Sequence, residues 1–162
     1  MRFSVRQAHE NDAGQACQVL RLSIIQCCIS DHHNDDLLME KWLKNKTVPN
    51  LKMWINSESA YSIVAESETQ SGTEILGFSM MDEKGNITLC YLLKDALYCG
   101  IGKAMLNAME ARAKILCLEK LRLNSTNSGL PFYTRNGFKV LEKRKSIFNL
   151  DSHVMEKILI NS

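Results

Sequence analysis

The sequence predicts an α/β (α+β) fold, a mostly antiparallel sheet flanked by helices, and three observations carry that prediction. Short strand patterns at residues 61–66, 75–81 and 87–93 follow one another across polar turns, which implies an antiparallel meander. The last of these strands leads within a few residues into Gly100-Ile101-Gly102 and a long, uninterrupted helical pattern. A second long helical pattern precedes the meander, and further strand patterns close the chain.

Taken in order, residues 2–6 alternate, with Phe3 and Val5 on one face, and read as a first strand. Asn11-Asp12 then introduces a helical pattern with Ala13, Ala16, Cys17, Leu20, Ile24 and Cys27 or Cys28 on one face. Asp12 is its expected N-cap, because a short carboxylate can accept from the free N–H groups of a first turn. Residues 30–36 (SDHHNDD) form a polar break, and residues 37–44 are again helical. Thr47-Val48-Pro49 starts another short helix, proline being tolerated in a first turn. The meander turns at residues 68–72 and again at 82–86, the second turn ending on Gly85-Asn86. In the helix after the two glycines, Ile101, Ala104, Met105, Ala108, Ala111 and Ile115 fall three or four apart and make one apolar stripe. Lys103, Asn107, Glu110, Arg112 and Lys114 take the other side. Residues 121–123, 138–141 and 152–160 read as the remaining strands, with a helix around 130–135. Repeats, low-complexity tracts and linkers are absent from the sequence, so residues 1–162 are expected to form a single domain.

With 45% hydrophobic residues, 162 residues are enough for a sizeable core. A net charge of +2 makes no case for nucleic acid or an anionic membrane surface as partner. No stretch approaches the ~20 consecutive apolar residues of a membrane span, and a signal-peptide pattern is lacking at the N-terminus. The six cysteines, Cys17, Cys27, Cys28, Cys90, Cys99 and Cys117, form no C-x-x-C pair and have no histidine at zinc-ligand spacing. The expectation is a reducing, cytoplasmic protein without a metal, whose thiols pack mostly as small hydrophobes.

A helix that opens on Gly-x-Gly offers backbone N–H groups with no side chains in the way. Together with the positive end of the helix dipole these make a site for phosphate or another anion. The same glycines would equally serve a tight strand-to-helix turn. Two familiar phosphate motifs do not fit. A GxGxxG fingerprint needs a third small residue where Met105 stands, and a P-loop needs glycine at Leu97 and Ser or Thr at Ala104.

The segment from Leu92 to Leu106 resembles the pyrophosphate-binding element of the GNAT superfamily of N-acetyltransferases. Its signature, R/Q-x-x-G-x-G/A, is matched by Leu97-Tyr98-Cys99-Gly100-Ile101-Gly102 at all but the first position. The stretch from Asn124 to Phe138, with Pro131-Phe132-Tyr133 and Asn136-Gly137-Phe138, is similar to the family's closing S-x-x-A-x-x-F-Y-x-x-x-G-F element. The two occur in the right order and spacing, and with the strands around them the resemblance covers nearly the whole chain.

The resemblance implies a twisted, mixed but mostly antiparallel sheet of six to seven strands, with a central strand splayed from its neighbour. It implies acetyl-CoA as acyl donor, an amine as acceptor, and direct attack in a ternary complex. The residues between the first helix and the meander would wall the acceptor. The amides of Cys99, Gly100, Ile101, Gly102 and Lys103 would hold the pyrophosphate, with Lys103 either a nearby cation or a solvated helix lysine. Leu97 stands where the family has Arg or Gln, so a side-chain contact is missing there. Tyr91, Leu92 and Leu93 would pair their backbone with pantetheine as an added strand does, and a main-chain N–H at the splay could stabilise an oxyanion. Thr126 would touch the coenzyme or cap the following helix, and Gly129 replaces the family's usual alanine. Tyr133 is the matched acid for the departing thiolate: a phenol of pKa ~10 stays protonated at neutral pH. For the base, His32, His33, Glu66, Asp82 and Glu83, with Asp31, remain open, as does proton loss to water. A homodimer is family habit only. A degenerate acyl-CoA-binding module and a domain that only binds partners are the competing readings.

Overall fold

The computed structural model describes residues 2–159. Seven strands form one sheet in the order β1-β2-β3-β4-β5-β7-β6: β1 Ser4–Gln7, β2 Ala60–Thr69, β3 Gly72–Asp82, β4 Asn86–Leu92, β5 Lys120–Ser125, β6 Lys139–Lys145 and β7 Asp151–Ile158. Every neighbouring pair is antiparallel except β4 and β5. Among the described residues six α-helices accompany them: α1 Ala13–Cys27, α2 Ile29–His32, α3 Asp36–Leu43, α4 Val48–Ile55, α5 Ile101–Ile115 and α6 Leu130–Arg135. The predicted mixed sheet with flanking helices is what the structure shows.

Alternation along the strands divides the core into two layers. Ile63 and Ala65 of β2 join Met81, Leu121 and Met155 beneath α5, whose Met105 and Met109 are fully buried. Val64 and Phe78 face the opposite way, onto Ala16 and Leu20 of α1 and Leu51 of α4. On that second face, α1 and α3 also enclose Ile24, Cys28 and Trp42, against Phe148 of the β6–β7 loop and Tyr91 of β4.

Local chemistry explains where the elements begin. Thr47 accepts from the Asn50 N–H at 3.3 Å and caps α4, with Pro49 in the first turn. Asp35 caps α3 by accepting from Leu38 at 3.0 Å. Asp12 does not cap α1: its carboxylate accepts instead from the His9 N–H (2.7 Å) and from both terminal nitrogens of Arg6 (2.8 and 2.9 Å). The first long meander hairpin extends further than its apolar residues imply, because Thr69 and Gly72 stay in register across a two-residue turn. β6 also runs past the predicted residue 141. It is the sheet edge, exposed at every position, so its KVLEKRK sequence has no apolar alternation to read. Ile160, the predicted end of the last strand, lies outside the described residues. None of the described helices is long and apolar enough to cross a membrane. All six cysteines are free: Cys17 and Cys28 are buried, but Cys99 and Cys117 are exposed rather than packed in the core.

Candidate active site

β4 and β5 meet as a parallel pair over two registers only, Asn86↔Arg122 and Ile87↔Leu123. β4 then continues to Leu92 along β3 while β5 diverges, so the sheet parts in its middle. A cleft of about 890 Å³ occupies the parting, reaching from Ser23 and Cys27 of α1 to Gly100, Gly102 and Lys103 at the start of α5 and to Tyr133 on α6.

The parity of β4 decides which backbone groups face the cleft. The Leu93 N–H donates to the Leu76 carbonyl at 2.9 Å. In an antiparallel ladder such residues alternate, so Leu89 and Tyr91 also turn their peptide groups toward β3. Thr88, Cys90 and Leu92 turn theirs into the parting. Of Tyr91, Leu92 and Leu93, only Leu92 therefore offers its backbone to the cleft, and Cys90 is the partner that the sequence reading lacked. The Tyr91 side chain still lines the cleft, whereas Leu93 does not reach it.

Leu92 is held by two glycines. A Cβ on Gly77 would stand 2.6 Å from Leu92 Cδ2, and one on Gly102 would stand 3.2 Å from Leu92 Cδ1 and 2.8 Å from the Phe132 ring. These contacts let α5 lie close on β4 and α6. The loop before α5 has Tyr98 and Gly100 in the left-handed region, with φ of 61° and 82°. Nothing lies within 4 Å of a Cβ on Gly100, so glycine is there for backbone conformation alone. Ala104 N–H bonds to the Gly100 carbonyl at 3.1 Å, but the N–H groups of residues 98–103 find no acceptor among the described residues. A fan of free amides at the head of a fifteen-residue helix is suited to an anion. Ile101 is fully buried, so its part can only be through the backbone. The Cys99 thiol is exposed and turned back on the Leu97 carbonyl (3.3 Å). Lys94, Lys103 and Arg135 add cationic side chains along the cleft; Lys94 and Arg135 were not singled out from the sequence.

At the other end, Gly137 (φ 92°) lets the chain turn sharply after α6, and Phe138 returns its N–H to the Tyr133 carbonyl at 3.0 Å. Phe132 and the buried Phe138 pack edge-on against Tyr133, with ring centroids 5.1 and 5.7 Å away. Burial pushes the Tyr133 phenol well above its usual value, and the neighbouring Cys90 thiol pushes it the same way. The hydroxyl thus stays protonated throughout the neutral range. Thr126 Oγ1 accepts from the Gly129 N–H at 3.0 Å, so it caps the turn into α6 while lining the cleft. A Cβ on Gly129 would lie 3.1 Å from both Ser125 Oγ and Tyr133 Cε2, tighter than ordinary contact.

The residues considered as a base lie elsewhere. His32 is fully buried; its Nδ1 accepts from Asn34 N–H (3.0 Å), leaving Nε2–H to donate to the Ile24 carbonyl (2.8 Å). His33 is exposed in a left-handed C-cap of α2. Glu66 pairs with Arg6 at 2.9 Å, Asp82 accepts from Lys84 and Asn86 within its own turn, and Glu83 is exposed in that turn. Asp31 is buried and accepts from the N–H groups of Asn127 (2.7 Å) and Ser128 (3.3 Å) and from the Ser128 hydroxyl. It fastens α2 to the turn before α6. Among the described residues that line the cleft there is no carboxylate and no imidazole.

The family model described as the acetyltransferase (GNAT) domain matches residues 28–159. This chain belongs to the GNAT family of acetyltransferases. Its fold agrees with solved GNAT structures. A GCN5-related N-acetyltransferase from Rhodopseudomonas palustris superposes with a TM-score of 0.82 at 19% identity, covering 98% of this chain and 99% of that one. The PaiA N-acetyltransferase of Thermoplasma acidophilum, solved in complex with coenzyme A, gives 0.80 at 21% identity, with coverages of 98% and 100%. YncA of Salmonella typhimurium, solved with its cofactor acetyl-CoA, gives 0.72 at 12% identity, with coverages of 100% and 96%. No curated protein matches the sequence. Within this GNAT domain, no group of three or more His, Cys, Asp or Glu side chains is placed to hold a metal among the described residues.

Proposed function

We propose that this GNAT protein transfers the acetyl group of acetyl-CoA to a primary amine by direct attack within a ternary complex. One observation carries the reading: a single parting of the sheet joins unpaired helix-start amides to a buried phenol, with unpaired peptide groups of β4 between them. The amides of residues 99–103 would take the pyrophosphate, with Lys103, Lys94 and Arg135 as cations nearby. The peptide groups of Leu92 and Cys90 would pair with the pantetheine arm.

In the reaction the amine nitrogen bonds to the thioester carbon, the carbon–sulfur bond breaks, and the sulfur leaves with the bonding pair. Tyr133 would donate its hydroxyl hydrogen bond to that sulfur. With its acidity lowered by burial, the phenol stabilises the thiolate chiefly as a donor, since full transfer to a thiol of pKa ~8.5 runs uphill. The amine's proton leaves to water, there being no carboxylate or imidazole among the described lining residues.

That same feature favours a second reading, an acyl-CoA-binding module without turnover. Thermal denaturation with acetyl-CoA, followed by coenzyme A release over a panel of amines, separates the two. Acetyl transfer requires a rise in melting temperature and amine-dependent release. The module gives the rise alone, and no rise refutes both.

A further inference from the structure

We infer that the acceptor is a weakly basic primary amine with an uncharged, apolar body, bound as the free base; this rests on the acetyl-transfer reading above and deepens it to a substrate class.

The cleft has two sides. One is formed by α5 and α6. The other lies on the α1 face of the sheet, where Ser23, Gln26 and Cys27 of α1, and Cys28 just after it, meet the Tyr91 ring and Asn124. Asn124 belongs to this side because Leu123, its neighbour on β5, points into the core under α5. This wall is neutral. Burial pushes the Cys28 thiol up to about 12, and raises Cys27 and Tyr91 as well, so none of the three is ionised near pH 7.

The charges that face the cleft are positive: Lys94 from the 3-10 turn after β4, Lys103 from α5 and Arg135 from α6. Beneath the parting, an adjoining hollow carries the guanidiniums of Arg122 and Arg144, whose carboxylate partners are Glu156 and Glu142. Asp31, the acid behind Cys28, already accepts from three donors of Asn127 and Ser128. His32 has both ring nitrogens committed to Ile24 and Asn34. Lys94, Lys103 and Arg135 are matched to the coenzyme's phosphates, and on the α1 wall a bound ammonium would find no counter-ion among the described lining residues and no group to take its proton. A neutral amine with an apolar body meets thiols, an aromatic ring and amide or hydroxyl partners instead.

The consequence is quantitative. At pH 7 an amine of pKa ~10.4, as in a lysine side chain, is neutral in about 1 molecule in 2,500. A peptide α-amino group of pKa ~8 is neutral in about 1 in 10, an advantage of roughly 200-fold.

The test measures coenzyme A formation by chromatography, from pH 6 to 10. The acceptors are an apolar dipeptide amide, an arylhydrazine, butylamine and spermidine. The half-maximal pH of kcat/KM is expected to move with each acceptor's own pKa. At pH 7 the dipeptide amide or the arylhydrazine should exceed butylamine and spermidine by on the order of 100-fold. Preference for the peptide assigns an α-amino terminus, and preference for the hydrazine a small molecule; either supports the class. Gln26→Glu, which puts a carboxylate on the wall, should raise spermidine relative to the neutral acceptors at least threefold, and an unchanged ratio counts against the electrostatic account. One half-maximal pH shared by all acceptors, or spermidine as the best substrate, overturns the inference while leaving acetyl transfer standing. Release with no amine at all, despite an acetyl-CoA thermal shift, overturns acetyl transfer and the acceptor class with it.

Discussion

Alanine at Gly102 and alanine at Gly100 are expected to destabilise for different reasons, and the difference can be measured. At Gly102 the added carbon would lie 2.8 and 2.9 Å from Phe132 Cζ and Cε1 and 3.2 Å from Leu92 Cδ1. Ordinary carbon contacts begin near 3.5 Å, so α5 and α6 must separate by several tenths of an ångström. Overpacking on this scale costs about 1–3 kcal/mol. At Gly100 the new carbon has open space but a φ of 82°, and a left-handed residue with a Cβ costs roughly 1–2 kcal/mol. Urea denaturation should therefore lower the midpoint by on the order of 1 M in both variants, taking a slope near 2 kcal/mol/M. Phe132→Leu removes the two clashing ring atoms. It should restore most of the stability of Gly102→Ala and none of that of Gly100→Ala. Phe132 also packs edge-on against Tyr133, so Gly102→Ala should lower kcat as well. Full stability in Gly102→Ala, or equal rescue of both variants, would refute the close-approach argument.

Tyr133→Phe is expected to lower kcat by ~10²–10³-fold with the acetyl-CoA Kd unchanged, because the ring packing survives and only the donor to the developing thiolate is lost; stopped-flow turnover and calorimetry test this together. Exposed Cys99 and Cys117 should be alkylated first under native conditions, and acetyl-CoA should protect Cys99 alone; mass spectrometry of digests shows whether it does. Asp31→Asn weakens three hydrogen bonds from Asn127 and Ser128 and should cost about 1–3 kcal/mol in denaturant stability. The Arg6 guanidinium holds the Asp12 carboxyl below its ordinary range. Between the folded value and an unfolded value of ~3.9, the unfolded chain binds more protons, so stability rises with pH. The advantage of the parent over Asp12→Asn should be complete above about pH 4–5, shrinking as pH falls through the folded value. An advantage independent of pH would assign it to something other than this charge.

Most of the fold was legible because its signals are local. The apolar stripe of α5, the polar turns of the meander and the Phe-Tyr…Gly-Phe closure each fix an element without distant contacts. β6 reads short because an edge strand exposed on both faces has no burial pattern to display. Asp12 reads as a cap because sequence does not reveal that Arg6, folded back from β1, competes for it. In the site, the glycines and Tyr133 stood out. The choice between Leu92 with Cys90 and Tyr91 with Leu93 did not, since it depends on which peptide groups β3 claims. The histidines show the same limit: only packing reveals that His32 is sealed against Trp42, with its ring edge-on at a centroid distance of 6.3 Å.

The divergence of β4 from β5 has one more effect. It creates two strand rims in the middle of a sheet, facing each other across a gap. The outer rim at β6 is guarded by Lys139, Lys143, Arg144 and Lys145, whose charge and hydration discourage a second chain from adding itself there. The inner rim on β4 carries no such guard, only Thr88, Cys90 and Leu92. Its protection is its depth, for it lies walled in by α1, α5 and α6.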